Sequence, residues 1–414
     1  MRALALLLVL LPAVARAQKV DAGGEVSVIG ISMPNQPEGG RTNELRSRAR
    51  LDVTADPASW LRLKFDGSVD GLVADRSGRV NDVIVRARDA WVEVRGSKAD
   101  VRVGYGRLVW GRLDEIMPSD VLNPVESSRY FLEGRGEARL PVAFVRSRLF
   151  LTEETSFEAV VSLPGRRGRF DELDEASSPF NLLRDLVLPA GLIDDLDRRE
   201  PKAAWRNLQG GGRLSTTLGR VDASVSAYRG FESFGAVSLE PAVFIDPTVP
   251  AQPIPLVVGT LVERYARFTM VAADAEAIVG PWAIRAETAY FPDRAAVDAG
   301  IGVDRSAGDY RVFTSVVWHR DRTTDGPSVV NHDLSLIGSV ERRFARDRYM
   351  VRVFGVSNPV DGSGFVRGVA AWTVRDNVAL EASGGVFIGD ADGTDTLSRF
   401  RERDFVFLRL RWFF

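Results

Sequence analysis

The sequence predicts an all-β protein: a transmembrane, antiparallel, up-and-down β-barrel of about eighteen strands, with sixteen as the alternative count. Three observations predict it. Apolar and polar residues alternate with a period of two from one end of the chain to the other. The connections between these runs are short and long by turns. Beyond the leader no run of about 20 apolar residues is found, so no helix is predicted to cross a membrane. Barrel strands instead give an alternating signal that averages to neutral hydropathy, and the mean hydropathy is −0.06.

Taken in order, the chain opens on "MRALALLLVLLPAVARAQ", with Arg2, an apolar run from Ala3 to Leu11, and an A-x-A site at Ala15–Ala17. Residues 1–17 are expected to be a cleavable signal peptide, leaving 18–414 as a single barrel domain. The absence of cysteine excludes a lipoprotein, a disulfide framework, thiol catalysis and Cys-based zinc sites. The first strand is expected near Val20–Ser32. In "ELRSRARLDVT", Leu45, Ala49, Leu51 and Val53 share one face, and Arg46, Arg48, Arg50 and Asp52 the other. "WLRLKFDGSVD", "VDASVSAY" and "VALEASGGVFI" repeat the pattern. The last strand sets Val406, Leu408, Leu410, Trp412 and Phe414 against Phe407, Arg409, Arg411 and Phe413.

Tight connections are expected at 55–59, 96–100, 152–155, 218–220, 279–281, 306–309, 345–348 and 374–377. Longer ones are expected at 33–43, 70–81, 108–140, 164–203, 233–259, 321–330 and 390–403, with two short outer ones near 292–296 and 359–363. Short periplasmic turns and long extracellular loops are the pattern of an outer-membrane barrel, with both termini periplasmic. A terminal strand then closes against the first. Trp412 and Phe414 fall where an interfacial girdle sits, and they resemble the assembly signal read by the barrel-assembly machinery.

Charge narrows the function. Basic and acidic residues number 54 and 56, a net charge of −2, which argues against a nucleic-acid partner. Only four of the basic residues are lysines. Arg46, Arg48, Arg50, Arg62, Arg86, Arg88, Arg102, Arg146, Arg148, Arg367, Arg409 and Arg411 all fall on the expected lumen face. Guanidinium groups suit bidentate binding of carboxylate or phosphate, so an anion-preferring wall is one reading. Asp52, Asp66, Asp70, Asp89, Glu93, Asp222, Glu287 and Glu381 share that face. Ion pairs that merely rivet the wall are therefore the other reading.

The most distinctive segment follows the fifth strand. Within "VGYGRLVWGRLDEIMPSDVLNPVESSRYFLEGRGEARLP", Asn123-Pro124 marks a turn, and Pro118 and Pro141 rule out a continuous helix. Acids Asp114, Glu115, Asp120 and Glu126 mix with Arg112, Arg129, Arg135 and Arg139. Folded into the lumen, such a loop sets a transverse field; packed over the mouth, its ion pairs only hold it there. Gly106, Arg107, Trp110, Gly111, Asp120, Asn123, Pro124, Arg139 and Pro141 resemble a family of porin-like outer-membrane barrels of Gram-negative bacteria that has no agreed substrate. That resemblance implies an outer-membrane location and a transport role, with lipids or other hydrophobic compounds among the suspected cargoes.

Other features carry less. Ser178-Pro179 begins an apolar patch, Phe180, Leu182, Leu183, Leu186, Val187 and Leu188, that suits a short helix in the lumen or on the rim. His332 lies near Asp333 and Ser335, but triads are assembled in space rather than by adjacency, and no catalytic residue is assigned. Asp390, Asp392 and Asp395 lack the spacing and closing Glu of a calcium loop. No cofactor motif is present: "GGGR" at 210–213 lacks the Lys-Ser/Thr of a P-loop. The expected function is an outer-membrane channel for small solutes, not an enzyme. The alternatives are a conduit for hydrophobic molecules, fed by periplasmic or inner-membrane partners, and a non-conducting scaffold, adhesin or receptor. Outer-membrane lipid surrounds the barrel in each, and a homo-oligomer such as a trimer is compatible with all of them.

Overall fold

Alternation becomes a closed wall. The computed structural model describes residues 19–36, 40–75, 80–185, 196–244, 256–322, 330–393 and 395–414. The expected signal peptide, 1–17, lies outside the described residues. Eighteen strands form one antiparallel sheet. They are β1 (Lys19–Ser32), β2 (Asn43–Ala58), β3 (Leu61–Asp75), β4 (Val80–Arg95), β5 (Ala99–Gly106), β6 (Val142–Phe150) and β7 (Thr155–Ser162), then β9 (Gln209–Leu218) and β10 (Val221–Phe231). After them come β13 (Arg267–Val279), β14 (Trp282–Phe291), β15 (Ala296–Ala307), β16 (Tyr310–Arg322), β17 (Val330–Phe344), β18 (Tyr349–Asn358), β19 (Ser363–Arg375), β20 (Val378–Ile388) and β21 (Phe405–Phe413). The ring closes because β1 pairs with β2 on one edge and with β21 on the other. No strand of the ring is left with an unpaired edge, as a spanning sheet requires.

The direction of the wall follows from burial. In β21, Val406, Leu408 and Leu410 are 59%, 55% and 51% exposed, whereas Phe405, Phe407 and Arg409 are 2%, 5% and 5%. The apolar row is therefore the outer one. Trp60, Trp282, Tyr310, Tyr349, Trp372, Trp412 and Phe414 are outward and exposed, each beside a short turn or, for the last two, at the end of β21. They form a girdle around that rim. Phe414 continues the ladder: its N–H donates to Gly24 O (3.1 Å), and Gly24 N–H donates to Phe414 O (2.9 Å). The Phe414 ring lies over Gly24, where a Cβ would stand 2.5 Å from the ring.

Two expectations are corrected, and one irregularity is added. The connection expected at 70–81 shrinks, because β3 and β4 run on to Asp75 and from Val80. Leu72 and Ala74 fall inside the expected connection, yet they stay in the wall, buried against Leu173. The loops expected at 164–203 and 233–259 are not plain loops. They contain β8 (Leu196–Arg199), β11 (Ala236–Phe244) and β12 (Leu256–Arg264), a second sheet in which β12 lies between antiparallel β11 and parallel β8. Pairing on both sides satisfies backbone groups of β12. Finally, β4 carries a bulge: Asp66 opposes Asp89 and Gly67 opposes Ala87, leaving Arg88 unpaired in the ladder. The extra residue lets Arg86, Arg88, Asp89 and Glu93 all face inward, which strict alternation forbids.

The segment 107–141 contains α1 (Ser127–Glu133) and α2 (Arg135–Ala138). It runs through the lumen, held at two apolar anchorages. Leu108, Trp110 and Leu122 pack on the inner wall with Phe144, Tyr228, Phe268 and Met270. Across the barrel, Phe131 of α1 joins Phe180, Phe365, Phe387, Phe400 and Phe405.

Candidate functional site

The site is the lumen, and its residues are best followed along the crossing segment. Trp110 is 1% exposed; its Nε1–H donates to Glu158 of β7 (2.9 Å), and its ring meets Tyr228 edge-on at 6.1 Å. Next, Glu287 of β14 works as a latch. Its carboxylate accepts from the backbone N–H of Arg112 (2.9 Å), Leu113 (3.2 Å) and Ser119 (2.7 Å), and from Ser119 Oγ (2.7 Å). Gly111 makes this approach feasible. Its φ is 97°, and a Cβ there would lie 2.8 Å from Glu287 Oε1.

Ion pairs then tie the segment to successive strands. Arg112 bonds Asp274 of β13 (2.5 Å), Asp114 bonds Arg285 of β14 (2.9 Å), and Glu115 pairs with Arg352 of β18 (3.4 Å). In α1, Glu133 pairs with Arg48 of β2 (2.8 Å) and Arg409 of β21 (3.9 Å), while Arg129 reaches Asp70 of β3 (3.4 Å). In α2, Glu137 pairs with Arg88 (2.6 Å). Asp120 closes the segment on itself, accepting from both Arg135 and Arg139 at 2.8 Å. Asn123 holds its base: the side-chain oxygen accepts from Leu108 N–H (2.8 Å) and the amide donates to Leu140 O (2.7 Å). Pro124 O accepts from Leu140 N–H (2.7 Å).

The buried carboxylates that dock these loops shift in one direction, downward. Burial pushes the Glu137 carboxyl up, and Arg88 more than reverses it, to about 2. Burial likewise opposes ionisation of Asp171, and Arg46 and Arg41 bring it down to about 2. Glu133 is held well below the usual carboxylate range: burial is outweighed by Arg48, Arg409 and Arg129. Arg129 is lowered to about 10 by burial with Arg48 alongside. It stays protonated at neutral pH.

All twelve arginines expected on the lumen face are ion-paired, but unequally. Arg46 pairs with Glu44 and Asp171, Arg50 with Asp66, and Arg62 with Asp56, each within 2.8 Å. Arg86 forms ion pairs with Asp70 (2.9 Å) and Glu172. In two places guanidinium groups outnumber acids. Arg367, Arg409 and Arg411 share Glu381 at 3.8, 4.0 and 3.7 Å. Arg102 and Arg146 share Glu93 (2.7 and 3.4 Å), and Arg146 and Arg148 share Glu158 (3.7 and 2.8 Å). The Nε atoms of Arg146, Arg148 and Arg411 have no hydrogen-bond partner. The second cluster, with Arg107, Arg112 and Arg213, lines a cavity of about 340 Å³ beside Trp110 and Gly111.

Sequence reasoning assembled the arginine rows and missed their partners on the crossing segment, Glu133 and Glu137. It also missed the latch, although Glu287 is the inward carboxylate of "WAIRAETAYF". Phe180 is fully buried in the lumen cluster, while Leu186, Val187 and Leu188 lie outside the described residues. The side chain of His332 lies outside them as well. Asp395 plays a structural part, capping the helical turn Thr396–Arg399 by accepting from Leu397 and Ser398 N–H, and it also accepts from Ser363 Oγ.

No protein-family model matches the chain, and no curated protein matches it in sequence. Solved structures do match in shape. OccAB4 of Acinetobacter baumannii aligns over 96% of this chain and 99% of its own, with a TM-score of 0.53 at 9% identity. OccAB1 of the same organism covers 96% of both chains (TM-score 0.52, 9% identity), and OccAB2 covers 96% and 98% (TM-score 0.52, 7% identity). At such identities the likeness is one of fold, and this chain shares the fold of these structures over nearly its whole length.

Proposed function

We propose that this protein is an outer-membrane channel for small solutes with a preference for anions, exported by its leader and crossing the membrane with periplasmic termini. One observation carries the reading: a closed barrel, apolar outside, encloses an arginine-rich lumen that a wall-to-wall segment narrows. Arg102, Arg146 and Arg148 outnumber Glu93 and Glu158 around the 340 Å³ cavity, which favours carboxylate- or phosphate-bearing solutes. The test is planar-bilayer conductance of the refolded chain under a salt gradient. Steady channels with an anion-selective reversal potential are expected, and cation selectivity would overturn the preference.

A second cavity supports the alternative of a hydrophobic cargo. About 320 Å³ is enclosed by Ile116, Tyr130, Phe131, Phe365, Leu397 and Phe400, with Asp333 and Asp395 at its edge. Insertion without current, together with uptake of an apolar probe into this cavity, would place the conduit ahead of the channel. Insertion without either points to the scaffold.

A further inference from the structure

We propose that Arg305 and Arg342, with the rings they stack on, form a site on the outer face of the barrel for the phosphate of a glycerophospholipid, in the leaflet at the short-turn rim. The proposal rests on the membrane placement above. It starts from an exception to the lumen rule: in β15 and β17 these two arginines occupy outward positions. Arg305 is opposite Trp282, and Arg342 is opposite Tyr310. Each stands two residues before its strand ends at a short turn.

Their surroundings differ from those of every inward arginine described above. Arg285 and Arg311, nearby on the inner face, have acids at 2.9 and 3.0 Å. Along β13–β17 the outward positions hold no Asp or Glu. Among the described residues Arg305 and Arg342 have no carboxylate partner and touch aromatic rings instead. The guanidinium carbon of Arg305 lies 5.0 Å from the Trp282 ring centroid; that of Arg342 lies 5.1 Å from Tyr310 and 5.4 Å from Phe344. The Nε of Arg305 is shielded from solvent and has no hydrogen-bond partner.

Cation–π stacking holds the guanidinium planes but leaves their N–H edges unfilled. A cation on the lipid face is costly in hydrocarbon and favourable at the headgroup layer, where phosphate satisfies it. A phosphodiester offers the paired acceptor oxygens that fit a guanidinium edge. The two sites are two strand spacings apart, roughly 10 Å across the sheet, so both reach one headgroup layer. Free phosphate is the poorer occupant, because the adjoining outward surface, Val312, Val340 and Val351, is exposed and apolar and takes an acyl chain. The occupant is thus a phospholipid.

The test is competitive lipid retention by the refolded full chain in mixed micelles of dimyristoyl phosphatidylglycerol and dimyristoyl glycerol, read by native mass spectrometry. The wild type is expected to keep the phospholipid roughly tenfold over the diacylglycerol. In R305Q/R342Q that preference should fall to near unity while bilayer conductance is unchanged. Equal retention of both lipids by a wild-type chain that inserts, or an undiminished preference in the double variant, overturns the site. Should the double variant not refold, R305Q and R342Q alone are each expected to lose about threefold; no loss in either overturns it too. A wild-type chain that does not insert into bilayers overturns the membrane reading, and this site with it.

Discussion

At the scale of single residues, the lumen is organised by carboxylates that catch backbone. Glu287 is 3% exposed and receives four hydrogen bonds from one short stretch of the crossing segment. Removing it leaves three buried N–H groups without an acceptor, at a cost of about 1–3 kcal/mol for each group left bare. Glu287→Ala is therefore expected to loosen 107–141, raising single-channel conductance and exposing Arg112 to trypsin. Unchanged conductance and cleavage would show that Trp110 and Phe131 hold the segment without the latch. This contact shows the limit of sequence. Gly111 and Glu287 each stood out, one in a motif and one on an inward row, but 175 residues separate Arg112 from Glu287. Period-two alternation says which way a side chain points and nothing about what comes to meet it.

At the scale of elements, strands were legible and the pieces between them less so. The outer rows of β2, β10, β20 and β21 run as their alternation predicts, since lipid and lumen demand opposite residues at successive positions. Where the chain departs from that demand, prediction failed for a physical reason. The Arg88 bulge changes register without changing composition. β8, β11 and β12 pair in a sheet of their own, separate from the ring whose outer row the alternation describes. Docking of the two inner loops, 107–141 and 163–185, depends on Glu137 and Asp171, whose pKa values both lie near 2 when folded against roughly 4 when unfolded. Lowered values mean that this stabilisation is complete above pH ~4 and is lost as pH falls through ~2. Pepsin susceptibility of the loops should therefore stay flat from pH 5 to 4 and rise between pH ~4 and ~2. A rise already at pH 5 would refute the assignment.

At the scale of the whole molecule, closure depends on small residues where the ends meet. A Cβ on Gly24 would stand 2.5 Å from the Phe414 ring, whereas one on Gly30, in the same outer row, would meet nothing within 4 Å. Gly24→Val should destabilise the barrel by about 1–3 kcal/mol and lower the temperature at which its compact electrophoretic form is lost; Gly30→Val should not. Equal behaviour of the two would move the weak point elsewhere. The paired lumen has a consequence of its own. A guanidinium has donors for more than one anion, as Arg46 shows by holding Glu44 and Asp171 together, so in the proposed channel a passing anion competes with resident carboxylates and moves by a relay of exchanges. Flux along such a relay saturates with solute, and indifferent salt competes for every step. In that respect the proposed channel would behave as an ion-exchange column.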